Sequence, residues 1–166
     1  VGGGGAARGR DIILNALDLR HRVAREVMRP RHEITAFDTD APMDQCLALA
    51  EKTRYSRFLL CASGDLDQTR GIVHIKDLYA QRDRARTAAD LLPVARPLIY
   101  VPETARLEKL LQLFLERKLH LAVVVDEYGG TVGLVSLENV LESLVGQIQA
   151  EFDQEKYELT AVSENG

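Results

Sequence analysis

The sequence predicts an α/β (α+β) fold in which two β-α-β-β-α repeats pack pseudo-symmetrically as one module behind a lead-in helix. Three observations predict it. The first is an internal repeat: with an offset of 64, Ile34 aligns with Leu98, Phe37 with Val101, Leu47 with Leu111, and Phe58 to Cys61 with Ala122 to Val125. After a loop two residues longer in the first copy, Gly71, Ile72, Val73 and Ile75 align with Gly133, Leu134, Val135 and Leu137. A repeated apolar skeleton signals a repeated fold unit. The second is an unbroken apolar run in each copy, of the kind that marks a strand buried on both faces. The third is the stripe Leu107, Leu110, Leu111 and Phe114, whose i, i+3, i+4, i+7 spacing is that of a one-faced helix. A unit of about 50 residues is near the lower limit for closing its own core, so two copies in a 166-residue chain are expected to share one.

The elements follow in order. Residues 1–10, with Gly2 to Gly5, read as a flexible or appended segment. Across residues 11–30, Ile12, Ile13, Leu14, Leu17, Leu19, Val23 and Val27 fall at roughly helical spacing between charges and predict the lead-in helix, stopped at Pro30. Residues 31–80 form repeat 1, 81–97 a linker, 98–146 repeat 2 and 147–166 an acidic connector. Each repeat opens with an extended segment (33–37 or 98–101). A helix capped by the side-chain oxygen of Asp40 or Thr104 comes next. The apolar strand (58–61 or 121–125) then leads through a Gly- and Asp-rich turn (62–70 or 126–131) to a second strand. The closing helix begins near Ile75 or Leu137.

Composition excludes several functions. A net charge of −4 argues against nucleic acid as the main partner, because phosphate backbones demand a basic patch. No apolar run reaches the roughly 18 residues of a membrane span. Cys46 and Cys61 sit inside apolar runs and read as buried small hydrophobes. His21, His32, His74 and His120 are scattered without a metal-ligand spacing. Asp126-Glu127 beside Gly129-Gly130 reads as a turn. No nucleophile, base or paired acid is evident, and the expectation is a non-enzyme with no catalytic residue and no metal site.

One constellation does carry chemistry. A hydroxyl at the mouth of a helix lies beside unpaired backbone N–H groups and the positive end of the dipole, where a phosphate binds. An Asn or Asp three residues on shares that face and can bond ribose hydroxyls. The second copy has both, Ser136 and Asn139, with Leu134 among the apolar residues next to them. The first copy keeps Asp77 and Ile72 but has His74 at the hydroxyl position, which makes it the weaker site.

The segments Gly71-Ile72-Val73-His74-Ile75-Lys76-Asp77 and Gly133-Leu134-Val135-Ser136-Leu137-Glu138-Asn139 resemble the last strand and helix mouth of the cystathionine-β-synthase-type (CBS) domain, which occurs in tandem pairs as a regulatory module. Three further segments narrow the resemblance to the hemolysin C / magnesium and cobalt efflux (CorC-like) family. They are Glu26-Val27-Met28-Arg29-Pro30-Arg31, Asp126-Glu127-Tyr128-Gly129-Gly130-Thr131-Val132-Gly133-Leu134-Val135 and Gly146-Gln147-Ile148-Gln149-Ala150-Glu151-Phe152-Asp153.

The resemblance implies a cytoplasmic CBS pair that binds an adenine nucleotide (ATP, ADP or AMP, with or without Mg2+) and controls a membrane Mg2+/Co2+ transporter domain. It implies an upstream transmembrane domain, a small downstream domain and a homodimer of CBS pairs. For the nucleotide it implies Tyr55 stacking on adenine, the backbone of Ser56, Arg57 and Phe58 reading the base edge, and Arg31 meeting phosphate. Two other readings stay open: a structural dimerisation module with a vestigial pocket, where Ser136 is only a helix cap, and a direct Mg2+ sensor using Asp126-Glu127 or the acidic tail.

Overall fold

The computed structural model describes residues 22–165, with side chains given up to residue 153 except 147 and 151. The 1–10 segment and residues 11–21 of the expected lead-in helix lie outside the described residues. A short helix, α1 (Ala24–Val27), ends at Met28 on extended backbone. Proline disfavours helical backbone in the residue before it, and Arg29–Pro30 accordingly form strand β1.

Two β-α-β-β-α series follow. The first is β2 (Ala36–Asp38), α2 (Met43–Thr53), β3 (Arg57–Cys61), β4 (Thr69–His74) and α3 (Ile75–Gln81). The second is β5 (Tyr100–Pro102), α4 (Leu107–Arg117), β6 (Leu121–Val125), β7 (Thr131–Ser136) and α5 (Leu137–Asn165). The duplication extends to backbone detail. α2 and α4 end on Arg54 and Lys118, both left-handed (φ 58° and 54°), whose N–H groups bond the Ala50 and Phe114 carbonyls. Such a cap terminates a helix at a modest steric cost for a non-glycine residue.

One sequence expectation is corrected, and two segments gain detail. Asp40 and Thr104 do not cap α2 and α4: the N-caps are Pro42 and Arg106, without side-chain bonds. In the first copy the Asp38 carboxylate accepts the Asp40 N–H at 2.8 Å, so the chain makes an Asx turn before the helix starts. The linker is ordered. Its residues Ala88–Val94 form a 3-10 helix with a Thr87/Asp90 capping box and bury Ala88 and Leu91. α5 runs on past Gly146, through the segment read as a connector, to Asn165, because one helical glycine costs only about 1 kcal/mol and no proline follows.

Contacts divide the chain into two units that cut across the repeats. One comprises Arg29–Val101 and Ala122–Leu134. In it β2, β3 and β4 form a sheet, β2 parallel and β4 antiparallel to the central β3. Phe37, Met43, Cys46, Phe58, Leu60, Val73, Leu78 and Leu91 form its core, with Phe37 stacked on Phe58 at 4.5 Å between ring centroids. A second sheet has the order β1-β7-β6-β5, with Arg29 opposite Leu134 and Pro30 opposite Gly133.

The other unit comprises residues 22–28, Pro102–Leu121 and 135–165. α4 turns Leu107, Leu110 and Phe114 inward and packs on α5, whose Val140 is buried. The Ala24 N–H donates to the Ala105 carbonyl at 2.8 Å and the Leu107 N–H to the Arg22 carbonyl at 3.1 Å, which fastens α1 to the start of α4. Arg22 Nη1 donates to Ser143 Oγ on α5 at 2.6 Å.

Candidate functional site

Ser136 stands at the mouth of the long helix α5, where the sequence places it. Its Oγ accepts the Asn139 backbone N–H at 3.0 Å and donates to Asn139 Oδ1 at 2.6 Å. The hydroxyl therefore caps the helix and at the same time orients the amide. With Oδ1 turned to the serine, the Nδ2 donors face away from it and are presented to other acceptors.

In the first copy His74 performs the same capping task. Its Nδ1 accepts the Lys76 N–H at 3.0 Å at the start of α3. Burial, then the nearby Arg57 and Arg96, hold its imidazole below the usual histidine range. Asp77 lies 3.5 Å from Arg96 Nη2. Ile72 is tied to the same arginine by two backbone bonds, Ile72 N–H to Arg96 carbonyl at 3.0 Å and Arg96 N–H to Ile72 carbonyl at 2.8 Å.

That pairing has a counterpart that sequence reasoning missed. An Arg-Pro dipeptide precedes each repeat: Arg29-Pro30 pairs with Leu134 and Gly133 of the second copy, and Arg96 with Ile72 of the first. The two guanidinium groups go to different places. Arg96 meets Asp77, whereas Arg29 lies over the Tyr55 ring, 4.2 Å from its centroid. Tyr55 is 37% exposed, and Phe58 flanks it at 6.2 Å from the buried core. Arg29 thus brings Tyr55 and Leu134, residues of different repeats, together in one unit.

The backbone of Ser56, Arg57 and Phe58 is partly committed. The Ser56 carbonyl accepts the Ile75 N–H at 2.8 Å, and Arg57 and Phe58 are registered with His74 and Val73 of β4. On the other edge β2 is registered with Leu59 to Cys61 and stops short of Arg57 and Phe58.

Arg31 has partners of its own. Its Nη1 donates to Asp67 Oδ1 at 2.6 Å and to the Thr131 carbonyl at 2.7 Å, while the Thr131 N–H donates to the same Asp67 oxygen at 2.8 Å. The Arg31 hydrogen bond, then the Thr131 N–H, hold the Asp67 carboxyl below the usual carboxylate range. The arginine joins the two hairpin turns.

Residues 88–146 match the CBS domain family. The chain is 36% identical over 147 residues to the magnesium and cobalt efflux protein CorC of Pasteurella multocida (strain Pm70), covering 89% of this chain and 49% of that protein. It is 34% identical, with a TM-score of 0.73, to the crystal structure of the CBS domain of a putative transporter from Clostridium difficile 630, over 78% of this chain and 98% of that one. The ATP complex of the CBS domain of a bacterial CNNM/CorC family Mg2+ transporter is 36% identical, with a TM-score of 0.71, over 83% of this chain and 98% of that one. The chain belongs to the CBS modules of the CNNM/CorC family. It spans about half the length of the curated relative it matches.

Other groups in this CBS module are engaged structurally. Asp126 Oδ1 accepts the N–H groups of Tyr128 and Gly130, both at 2.9 Å, so the carboxylate closes its own turn. Cys46 and Cys61 are buried free thiols, both pushed up to about 11, by burial above all. Among the described residues no helix is long and apolar enough to cross a membrane, and no group of three or more His, Cys, Asp or Glu side chains is placed to hold a metal ion. A cleft of about 230 Å³ lined by Ala36, Phe37, Asp38, Ala41, Gln45, Cys46 and Leu49 contains none of the predicted ligand residues.

Proposed function

We propose that this CBS module binds an adenine nucleotide and passes its occupancy to a membrane Mg2+/Co2+ transporter domain of a longer chain, on the cytoplasmic face. The observation that carries the reading is the Ser136–Asn139 pair, which presents amide donors at the positive end of a long helix. The ATP complex of a 36% identical CBS domain supports it. Ser136 and Asn139 would meet phosphate and ribose, Tyr55 and Leu134 the adenine faces, and the Ser56–Phe58 backbone its edge. Arg31, with Nη1 engaged by Asp67 and Thr131, would contribute the rest of its guanidinium. The first-copy residues Ile72, His74 and Asp77 make the weaker site, because Arg96 occupies the Asp77 carboxylate.

Control follows from linkage: the nucleotide shifts the module between conformations only by its differential affinity for them. Mg2+ would enter as a companion of the phosphates, because that ion is held through phosphates and a few carboxylates rather than by an all-protein cage. We read no catalytic role. The module pairs with a second copy through α5, where Leu141, Val145, Ile148 and Phe152 are exposed at i, i+4, i+7, i+11, the spacing of a helix seam.

Calorimetry with ATP, ADP and AMP, with and without Mg2+, on wild type and on the Ser136→Ala/Asn139→Ala double variant, tests the binding. Heat from the wild type that the double variant loses is the expected result. No heat with any nucleotide would sink the reading and leave the dimerisation module. Mg2+ binding without nucleotide, lost on replacing Asp126 and Glu127, would favour the direct sensor. Sedimentation of Val145→Glu/Ile148→Glu tests the pairing, which predicts a shift from dimer to monomer.

A further inference from the structure

Arg29 and Arg96 hold equivalent positions, each in an Arg-Pro pair and each bonded to the last strand of the opposite copy. Arg96 is neutralised by Asp77. At the position equivalent to Asp77 the second copy has Asn139, which carries no charge. Among the described residues Arg29 has no ion pair, and its guanidinium rests on the face of a part-exposed tyrosine, 4.2 Å from the ring centroid. A cation over an aromatic face at a site of this exposure gains only a modest, displaceable stabilisation. The same ring is the one proposed to stack on adenine.

We propose that Arg29 is the residue that makes the site select nucleotides over nucleosides, an inference that rests on the adenine-nucleotide reading above. The guanidinium covers the Tyr55 face on which a base would stack. A purine that stacks on that face displaces it. A nucleotide compensates the displaced cation with phosphate oxygens, to which a guanidinium donates strong, charge-assisted bonds. A nucleoside displaces it and offers nothing in return. The Arg29 side chain is thus a competitor for adenosine and a ligand for ATP, and its removal moves the two affinities in opposite directions.

The test is calorimetric titration of ATP and of adenosine onto wild type, Arg29→Ala and Arg29→Lys. Because Arg29 pairs with Leu134 through its backbone, Arg29→Ala keeps β1, and a thermal melt of each variant checks that it does. Arg29→Ala is expected to bind ATP about tenfold or more weakly, the loss of a charged hydrogen bond. It is expected to bind adenosine about two- to fivefold more tightly, the release of an exposed cation–π contact. Arg29→Lys keeps a charge without the planar stack, so it should retain most of the ATP affinity while still gaining for adenosine. Equal shifts for both ligands, or none, with ATP bound by the wild type, overturn this inference alone. A wild type that binds no ATP overturns the nucleotide reading and this inference with it.

Discussion

Thr69 and Thr131 are the same position of the repeat, and each reaches into the other copy. The Thr69 hydroxyl bonds the Tyr100 hydroxyl, and the Thr131 hydroxyl donates to the Leu66 carbonyl at 2.8 Å. Both threonines are buried, the only polar residues so placed among those described. A buried polar group that loses its partner keeps its desolvation cost. Thr69→Val and Thr131→Val are each expected to lose about 1–2 kcal/mol of stability, measured by urea denaturation. Unchanged midpoints in both would show that the crossed bonds contribute nothing.

Asp67 makes the stability acid-sensitive. Its folded pKa is depressed, first by the Arg31 hydrogen bond and then by the Thr131 N–H. The group therefore stabilises the fold above its unfolded pKa, and that contribution fades as pH falls through the folded value. Asp67→Asn should melt below wild type at neutral pH, with the gap closing on acidification well below the usual carboxylate range. A gap that stays constant with pH would assign the loss to packing instead.

His74 works in a higher window. Neutral Nδ1 accepts the Lys76 N–H, and burial together with Arg57 and Arg96 lowers the folded pKa from 6.5. The stabilisation is complete above the unfolded value and is lost as the imidazole protonates at lower pH. Melting temperature followed downward from mildly alkaline pH should drop more for wild type than for His74→Ser, whose hydroxyl caps without titrating. Parallel curves would refute the assignment.

Gly71 and Gly146 predict opposite signs for one substitution. A Cβ on Gly71 would lie 2.8 Å from Ala95 Cβ and 3.1 Å from the Arg96 carbonyl, so alanine must push the ordered linker off β4. Gly71→Ala is expected to cost about 1–3 kcal/mol. A Cβ on Gly146 would meet nothing within 4 Å, and Gly146→Ala should stabilise α5 by about 0.5–1 kcal/mol. Thermal or chemical denaturation of the two variants reads both.

Tyr55 and Phe58 should separate binding from folding. Phe58 stacks on Phe37 in the core, and Phe58→Ala is expected to cost about 3–5 kcal/mol. Tyr55 is part-exposed, and Tyr55→Ala should abolish nucleotide heat while leaving the melting temperature within a few degrees. Loss of fold in both variants would remove Tyr55 as a dedicated ligand residue.

The apolar skeleton was legible because burial repeats wherever strands and helices repeat: Phe58 to Cys61 and Ala122 to Val125 read as equivalent buried strands from composition alone. Ser136 and Asn139 were legible because a helix mouth asks for a hydroxyl and an amide in that register. Asp40 and Thr104 misled because a good capping residue also makes a good turn, and local propensity does not choose between them. The ordered linker was signalled by Thr87 and Asp90, a capping box at the head of the apolar residues Leu91, Leu92 and Val94. Arg29 on Tyr55 and the crossed threonines were not legible at all. They depend on which strands become neighbours, and no spacing along the chain encodes that.

The chain passes from one unit to the other after Met28, after Val101, after Leu121 and after Leu134. The unit that begins at Arg29 is therefore incomplete until residues 122–134 have been made. On the ribosome the core from Phe37 to Leu91 is made some seconds before that hairpin emerges, at about 5–20 residues per second. Truncation after the first repeat keeps that core and strips from the unit β6 and the part of β7 that pairs with β1, which leaves the edge of β1 uncovered. The repeated segment is therefore not the contact unit, and a cut between the copies parts residues 122–134 from the rest of theirs.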